Sequence, residues 1–250
     1  MSKPKILITN DDGYHSDGIL ALEEALKPIG DVFVVAPSSE MSGASHSLTL
    51  SRPLRIRRLD NRHWTVDGTP TDCVTLALNM ILDPEQMPDI CASGINHGPN
   101  LGDDATYSGT VAGALESTIL GVPGLAFSLV ASRDCDFAES ARIAREITAK
   151  ALADGLPSGT LLNVNIPKGV SKGLRITKQG FKNARPIITE HIDPRGKPYY
   201  WIGELREGFH ADGGTDFEAI DDGFVSVTPM RSDLTDHAAI GNLKNWNSGL

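Results

Sequence analysis

The residues with the plainest chemical potential stand near the start of the chain. Lys5-Ile6-Leu7-Ile8-Thr9 is an apolar run, and Asn10-Asp11-Asp12-Gly13 ends it. Adjacent carboxylates repel, so both stay ionised only beside a cation or hydrogen-bond donors. Their hard oxygens suit Mg²⁺, Mn²⁺ or Ca²⁺. A solvated turn uses the same Asp-Gly pair, and the pair by itself leaves both readings open. A second polar stretch, residues 38–47, holds Ser42, a neutral oxygen for a metal. It also holds His46, which reads either as a base or as a hydrogen-bonded structural histidine. No G-x-S-x-G nucleophile elbow occurs in it. A third stretch, residues 93–110, carries Asn96, Asn100 and Tyr107-Ser108-Gly109-Thr110. A helix starting there offers N–H groups and two hydroxyls to phosphate oxygens. An ordinary N-cap by Ser108 or Thr110 needs no ligand at all. Neither a Walker loop nor a G-x-G-x-x-G fingerprint is present.

Each polar stretch follows a predicted strand. Residues 5–9 form the first strand. Ile19, Leu20, Leu22, Ala25 and Leu26 recur at helical spacing behind a cap at Ser16 or Asp17. Val32-Phe33-Val34-Val35-Ala36 is the next strand. Continuous apolar strands joined through a helix predict a parallel sheet covered on both faces. Residues 48–56 alternate partly and are expected to pair with Trp64-Thr65-Val66. Gly68-Thr69-Pro70-Thr71-Asp72 opens a helix running to Leu82. Residues 89–93 read as a buried strand and 94–109 as a long polar loop. A helix over 110–120, a strand over 126–129, a helix over 137–152 and a strand over 161–166 follow. In such a sheet ligands bind outside the carboxyl ends of the strands, where the three polar stretches converge.

Beyond residue 180 the pattern changes. Pro186-Ile187-Ile188-Thr189 and Tyr199-Tyr200-Trp201-Ile202 flank Asp193-Pro194-Arg195-Gly196, a hairpin signal. Such an aromatic hairpin either packs back on the core or reaches a second subunit, and the subunit interface is the expectation. A strand over 224–228 and a tail with Leu243 and Trp246 at helical spacing complete the chain. The expected organisation is an α/β core over 1–180 with a hairpin, returning strand and tail over 181–250 in the same structural domain.

Composition sets outer bounds. The chain has 250 residues, with 32 acidic against 23 basic side chains and a formal net charge of −9. An acidic chain lacks the basic face that wraps a nucleic-acid backbone. It is compatible with one phosphate held locally by a divalent cation and a helix start. No apolar run reaches the roughly 20 residues of a membrane span. The apolar run after Met1 is shorter than the roughly 7–15 residues of a secretory core. Cys73, Cys91 and Cys135 are odd in number and widely spaced, forming neither a disulfide framework nor a zinc pattern. A reducing, cytoplasmic location is the expectation.

Several of these motifs together resemble the SurE survival-protein family of nucleotidases. The resemblance rests on Thr9-Asn10-Asp11-Asp12-Gly13, Val34-Val35-Ala36-Pro37, residues 42–49, Gly68-Thr69-Pro70-Thr71-Asp72-Cys73-Val74, Ser93-Gly94-Ile95-Asn96 and Tyr107-Ser108-Gly109-Thr110-Val111. It extends through Asn163-Val164-Asn165-Ile166-Pro167, Thr215-Asp216-Phe217-Glu218-Ala219, Ser226-Val227-Thr228-Pro229 and Asp233-Leu234-Thr235-Asp236. One departure is Ser117, where the family has Gly.

The resemblance implies an α/β three-layer sandwich on a mostly parallel, Rossmann-like sheet, with a C-terminal β-hairpin and a swapped tail for oligomerisation. It implies a metal-dependent phosphatase acting on nucleoside 5′- and 3′-monophosphates, and possible action on short-chain polyphosphate. The family's ligands to one divalent ion, Mg²⁺ or Mn²⁺, fall on Asp11, Asp12, Ser42 and Asn96, with Asp11 and Asn96 also catalytic. Its phosphate-side residues fall on Asn10, Ser108, Gly109 and Thr110. A homodimer or homotetramer, cytoplasmic and away from membranes, is implied. Direct attack by water is expected, with an aspartyl-phosphate on Asp11 as the other route. A nucleoside N-glycosidase, with its own acidic cluster after a first strand, and a non-catalytic nucleotide-binding module are the competing readings.

Overall fold

The structure is a computed structural model that describes residues 3–131, 135–209, 213–244 and 246. Its strands are β1 (Lys5–Thr9), β2 (Asp31–Pro37), β3 (Ile56–Arg58), β4 (His63–Val66), β5 (Ile90–His97), β6 (Gly124–Val130), β7 (Thr160–Pro167), β8 (Leu174–Ile176), β9 (Lys182–Ile192), β10 (Pro198–Phe209) and β11 (Val225–Arg231). Nine of them form one sheet in the order β3-β4-β2-β1-β5-β6-β7-β11-β8. Strands β4, β2, β1, β5, β6 and β7 run parallel. At the edges β3 is antiparallel to β4, β11 is antiparallel to β7, and β8 lies parallel to β11.

Alternation along each strand divides the core between two faces. Ile6, Ile8, Val32 and Val34 pack with helices α1 (Asp17–Leu26) and α4 (Ala138–Asp154). Leu7, Phe33 and Val35 point the other way, against α2 (Pro70–Leu76). On that second face α3 (Gly109–Ile119) sets Val111 and Ala114 against Ala126 and Leu161. Helix, sheet and helix therefore make the three layers, as expected. A capping box opens α2: the Thr69 side chain accepts from the Asp72 N–H, and the Asp72 carboxylate accepts from the Thr69 N–H. The helix then loosens into a π-helical turn at Ala77–Ile81.

Several boundaries differ from the sequence reading. Residues 48–55 are not a strand; only β3 pairs with β4. Strand β5 runs through His97 into the predicted loop, because Asn96 and His97 pair with Ser128 and Leu129 after a register shift. A 3₁₀ turn at Gly102–Thr106, strand β8 and helix α5 (Asp216–Asp221) were not anticipated. Ser117 is fully buried and donates its hydroxyl to the Ala114 carbonyl 2.9 Å away, so the helix absorbs the departure from Gly.

The late segment divides. Strand β11 returns to the main sheet, while β9 and β10 pair antiparallel only with each other, across the turn at Asp193-Pro194-Arg195-Gly196. Ile188, Tyr200, Trp201 and Ile202 are exposed on this hairpin. Helix α6 (His237–Leu243) follows, and Trp246 is exposed beyond it. The remainder of the tail, 245 and 247–250, lies outside the described residues. No helix among the described residues is long and apolar enough to cross a membrane.

Candidate active site

Strand β1 has β2 on one side and β5 on the other, so the strand order reverses at β1. The carboxyl ends of β1 and β5 therefore open a crevice at a topological switch point. Asn10-Asp11-Asp12-Gly13 lies at the end of β1, and Asn96-His97 at the end of β5. The two ends are joined by the His97 N–H, which donates to Asp12 Oδ2 at 3.3 Å. The Ser42 loop is fixed to the same point, since the Met41 N–H donates to the Asp11 carbonyl at 2.7 Å. Main-chain bonds thus bring the segments of Asp11, Asp12, Ser42 and Asn96 to one edge.

Helix α3 closes the crevice from above. Ser108 is its N-cap, accepting from the Val111 N–H at 3.1 Å. Thr110 donates its hydroxyl to Asp11 Oδ1. The backbone N–H groups of Gly109 and Thr110 also face the Asp11 carboxylate. Such an approach needs glycine: a Cβ on Gly109 would lie 2.7 Å from Asp11 Cβ, and one on Gly113 would lie 2.8 Å from Thr9 Cγ2. A helix does start at Ser108-Gly109-Thr110, and its donors are turned on Asp11.

Other side chains are spent differently. Asn10 Nδ2 donates to the Gly13 carbonyl at 2.9 Å and to Ser16 Oγ at 2.8 Å, so both amide hydrogens shape the turn. Its Oδ1 is buried without a partner. Asn96 Nδ2 donates to the Gly98 carbonyl at 2.9 Å. Ser42 is exposed, and its hydroxyl donates to Glu40 Oε1 at 2.9 Å. Asn100 turns away from the crevice, donating to Ser128 Oγ at 2.7 Å within a buried network with Asn163 and Asn165.

Two residues missed by sequence reasoning support this edge. Buried Asp216 accepts from the Gly102 N–H at 2.8 Å and the Gly180 N–H at 2.9 Å, fastening the loop beyond β5. Buried Glu116 accepts from Thr75 Oγ1 at 2.8 Å and pairs with His46 Nε2 at 2.7 Å. A carboxylate inside the small-residue helix Val111-Ala112-Gly113-Ala114-Leu115-Glu116 was the available signal for the second. A cavity of about 270 Å³, lined by Ser45, His46, Ser108, Val111, Leu115 and Met230 among others, adjoins the helix start.

The electrostatics suit a cation. Burial pushes the Asp11 carboxyl above the usual range, against the lowering effect of Thr110. Burial and then the Asp11 charge push Asp12 up to about 6. Asp11, Asp12, Ser42 and Asn96 each carry an oxygen of the kind a hard divalent ion takes. The unpartnered Asn10 Oδ1 adds an acceptor beside them. Among the described residues no three His, Cys, Asp or Glu side chains cluster as a metal site; these four residues include only two such side chains, Asp11 and Asp12.

An open, mostly parallel α/β sheet with acidic and helix-start groups at its switch point defines a ligand-binding α/β protein. The chain belongs to the SurE family: the family model "Survival protein SurE" matches residues 6–186. It is 49% identical over 245 residues to the "5′-nucleotidase SurE" of Aquifex aeolicus, covering 96% of this chain and 97% of that one. It is 50% identical over 248 residues to the protein of the same name from Myxococcus xanthus, covering 98% and 94%. The crystal structure of the SurE protein from Aquifex aeolicus superposes with a TM-score of 0.86 at 48% identity, covering 98% of this chain and all of that one.

The raised Asp12 carboxyl has a consequence for stability. Its ionised form is disfavoured in the folded state, so folding is unpenalised below about pH 4 and loses stability between there and about pH 6. The full linkage is roughly 3 kcal/mol, which solvent screening at this half-buried group cuts to about 1 kcal/mol. In chelator, Asp12→Asn should melt about 2–4 °C above the unsubstituted chain at pH 7.5. That gain should vanish at pH 3.5, as calorimetric melting at the two pH values will show.

Proposed function

We propose that this chain is a 5′-nucleotidase, a metal-dependent phosphatase that hydrolyses nucleoside 5′-monophosphates to nucleoside and phosphate. The reading extends to 3′-monophosphates and short-chain polyphosphate. What carries it is the contact of the α3 start with Asp11, which sets anion-binding donors directly against cation-binding carboxylates. The names of the Aquifex and Myxococcus relatives supply the nucleotide.

Asp11, Asp12, Ser42 and Asn96 would hold one Mg²⁺ or Mn²⁺. Such an ion, when bound, neutralises phosphoryl charge and makes water more acidic. The chain's own groups do the positioning on which phosphoryl transfer depends. Phosphoryl oxygens entering beside Asp11 would take over from its carboxylate the N–H groups of Gly109 and Thr110 and the Thr110 hydroxyl hydrogen, with the Ser108 hydroxyl donating as well. Asn10 holds the turn that aims both carboxylates. Water attacks phosphorus, the bond from phosphorus to the ribose oxygen breaks, and that oxygen leaves with a proton as the nucleoside. This balance releases phosphate, whereas an N-glycosidase would release free base and a mere binding module neither.

The hairpin supports an assembled state. An isolated pair of strands is marginal in water, and Trp201 and Ile202 are 66% and 80% exposed on it. A homodimer or homotetramer covering this hairpin and the tail is the proposed state, working in the cytoplasm.

Phosphate release from a panel of nucleotides with Mg²⁺ and Mn²⁺ should show turnover. Asp11→Asn should lower it on the order of 100-fold or more while the melting temperature holds. Full metal-dependent activity in Asp11→Asn would sink the assignment. With a substrate whose phosphorus is made chiral by oxygen isotopes, one direct attack by water should invert the configuration of the released phosphate; net retention would establish an aspartyl-phosphate on Asp11. Light scattering should give a multiple of the chain mass that Ile202→Glu reduces.

A further inference from the structure

We infer that His46 and Glu116 form a clamp that positions the serine loop, and with it Ser42, against the start of α3. This rests on the proposal that Ser42 faces a divalent ion.

The loop over residues 38–49 is an exposed, polar excursion between β2 and β3. It is tied near its first half by the bond from the Met41 N–H to the Asp11 carbonyl. Beyond Ser42 it is tied again at its far end, where the Ser47 carbonyl accepts from Thr69 Oγ1 at 2.8 Å and the Thr49 N–H donates to Asp72 Oδ1 at 2.9 Å, and Ser45 and His46 fasten the stretch between. Ser45 is the one non-glycine residue with a positive φ among the described residues, at 54°. That conformation is disfavoured for any residue with a side chain and persists only where its surroundings impose it. Here they do: the Ser45 N–H donates to the Tyr107 carbonyl at 3.1 Å, and its hydroxyl to the Thr106 carbonyl at 2.7 Å. The left-handed turn presents His46 to α3, where Nε2 meets Glu116 Oε2 at 2.7 Å.

Glu116 is built for this task. It is 6% exposed, and Thr75 Oγ1 from α2 occupies its other oxygen at 2.8 Å. A buried carboxylate left without a partner is costly, so the ring is held firmly. Glu116 lies on the helix whose first residues, Gly109 and Thr110, touch Asp11. One rigid helix therefore fixes both the Asp11 carboxylate and, through His46, the far side of the Ser42 loop. The His46 side chain remains one-third exposed, so its removal leaves no cavity in the core. Both are positioning residues; neither is assigned contact with substrate.

The discriminating measurement is Mn²⁺ affinity by calorimetry, alongside the Mn²⁺ activation constant, kcat at saturating Mn²⁺, the nucleotide KM and the melting temperature, for the full chain and His46→Ala, His46→Gln and Glu116→Gln. His46→Ala should weaken Mn²⁺ binding and activation about tenfold. Its kcat at saturating Mn²⁺ and its KM should stay within about twofold. His46→Gln, whose amide reaches the carboxylate, should recover most of the affinity, and Glu116→Gln should fall between. Wild-type Mn²⁺ affinity in His46→Ala overturns the clamp. So does an effect on kcat or nucleotide KM alone, which would place His46 on the substrate. An unsubstituted chain that binds no Mn²⁺ fails earlier, overturning the metal reading and the clamp's role in it together.

Discussion

The structure turns on one contact, the start of α3 pressed onto the Asp11 carboxylate. Two ionised carboxylates at the end of a buried strand are unfavourable in isolation. The Thr110 hydroxyl and the Gly109 and Thr110 N–H groups offset part of that cost. Gly109 and Gly113 permit the approach, and the parallel order of β1 and β5 supplies the crevice beneath it. Donors for an anion and acceptors for a cation then share one point. Neither partner of the contact can move without unsettling the other.

The surrounding polar groups work chiefly as scaffolding. Asn10 and Asn96 shape their own turns, Asn100 binds the loop beyond β5 to β6 and β7, and Asp216 fastens the same loop from a distant part of the chain. The proposed chemistry therefore needs few reacting groups and many fixed ones, as phosphoryl transfer allows. The acidity of the chain is consistent with this arrangement. Repulsion is concentrated where a cation would relieve it, and the anion donors are backbone groups that add no formal charge.

The parallel core was readable because its signals are strong and local. Runs such as residues 5–9 and 32–36 have no other stable use in a chain of this kind, and the helices between them show clear periodicity. The extension of β5 through His97 was hidden because Gly94, Asn96 and His97 have loop composition; their pairing with β6 is decided across the sheet. Strand β8 is three residues long and partly exposed, so little in its sequence announces it. At the site, the carboxylate pair was legible from its position after the first strand. Ser42 offered no more than a neutral oxygen, and Asn96 acquired a meaning only through the family resemblance, since one serine or asparagine in a polar loop resembles any other. Asp216 acts through partners far away in sequence, which no local pattern records, and the one local sign of Glu116, a carboxylate in a helix of small residues, does not name its partners.

The bond from Asp216 to Gly102 spans 114 residues, and β11 enters the main sheet beside β7. The loop next to the carboxylates is therefore completed by the last third of the chain. During synthesis the first six strands can assemble as each emerges, yet the Asp216 tie on the loop beyond β5 forms only once residue 216 has left the ribosome. High separation of this kind slows the closing steps of folding. It also means that a chain cut after its parallel core would carry every proposed ligand and still lack the loop geometry they work within. Competence arrives late, and arrives with the same segment that carries the hairpin.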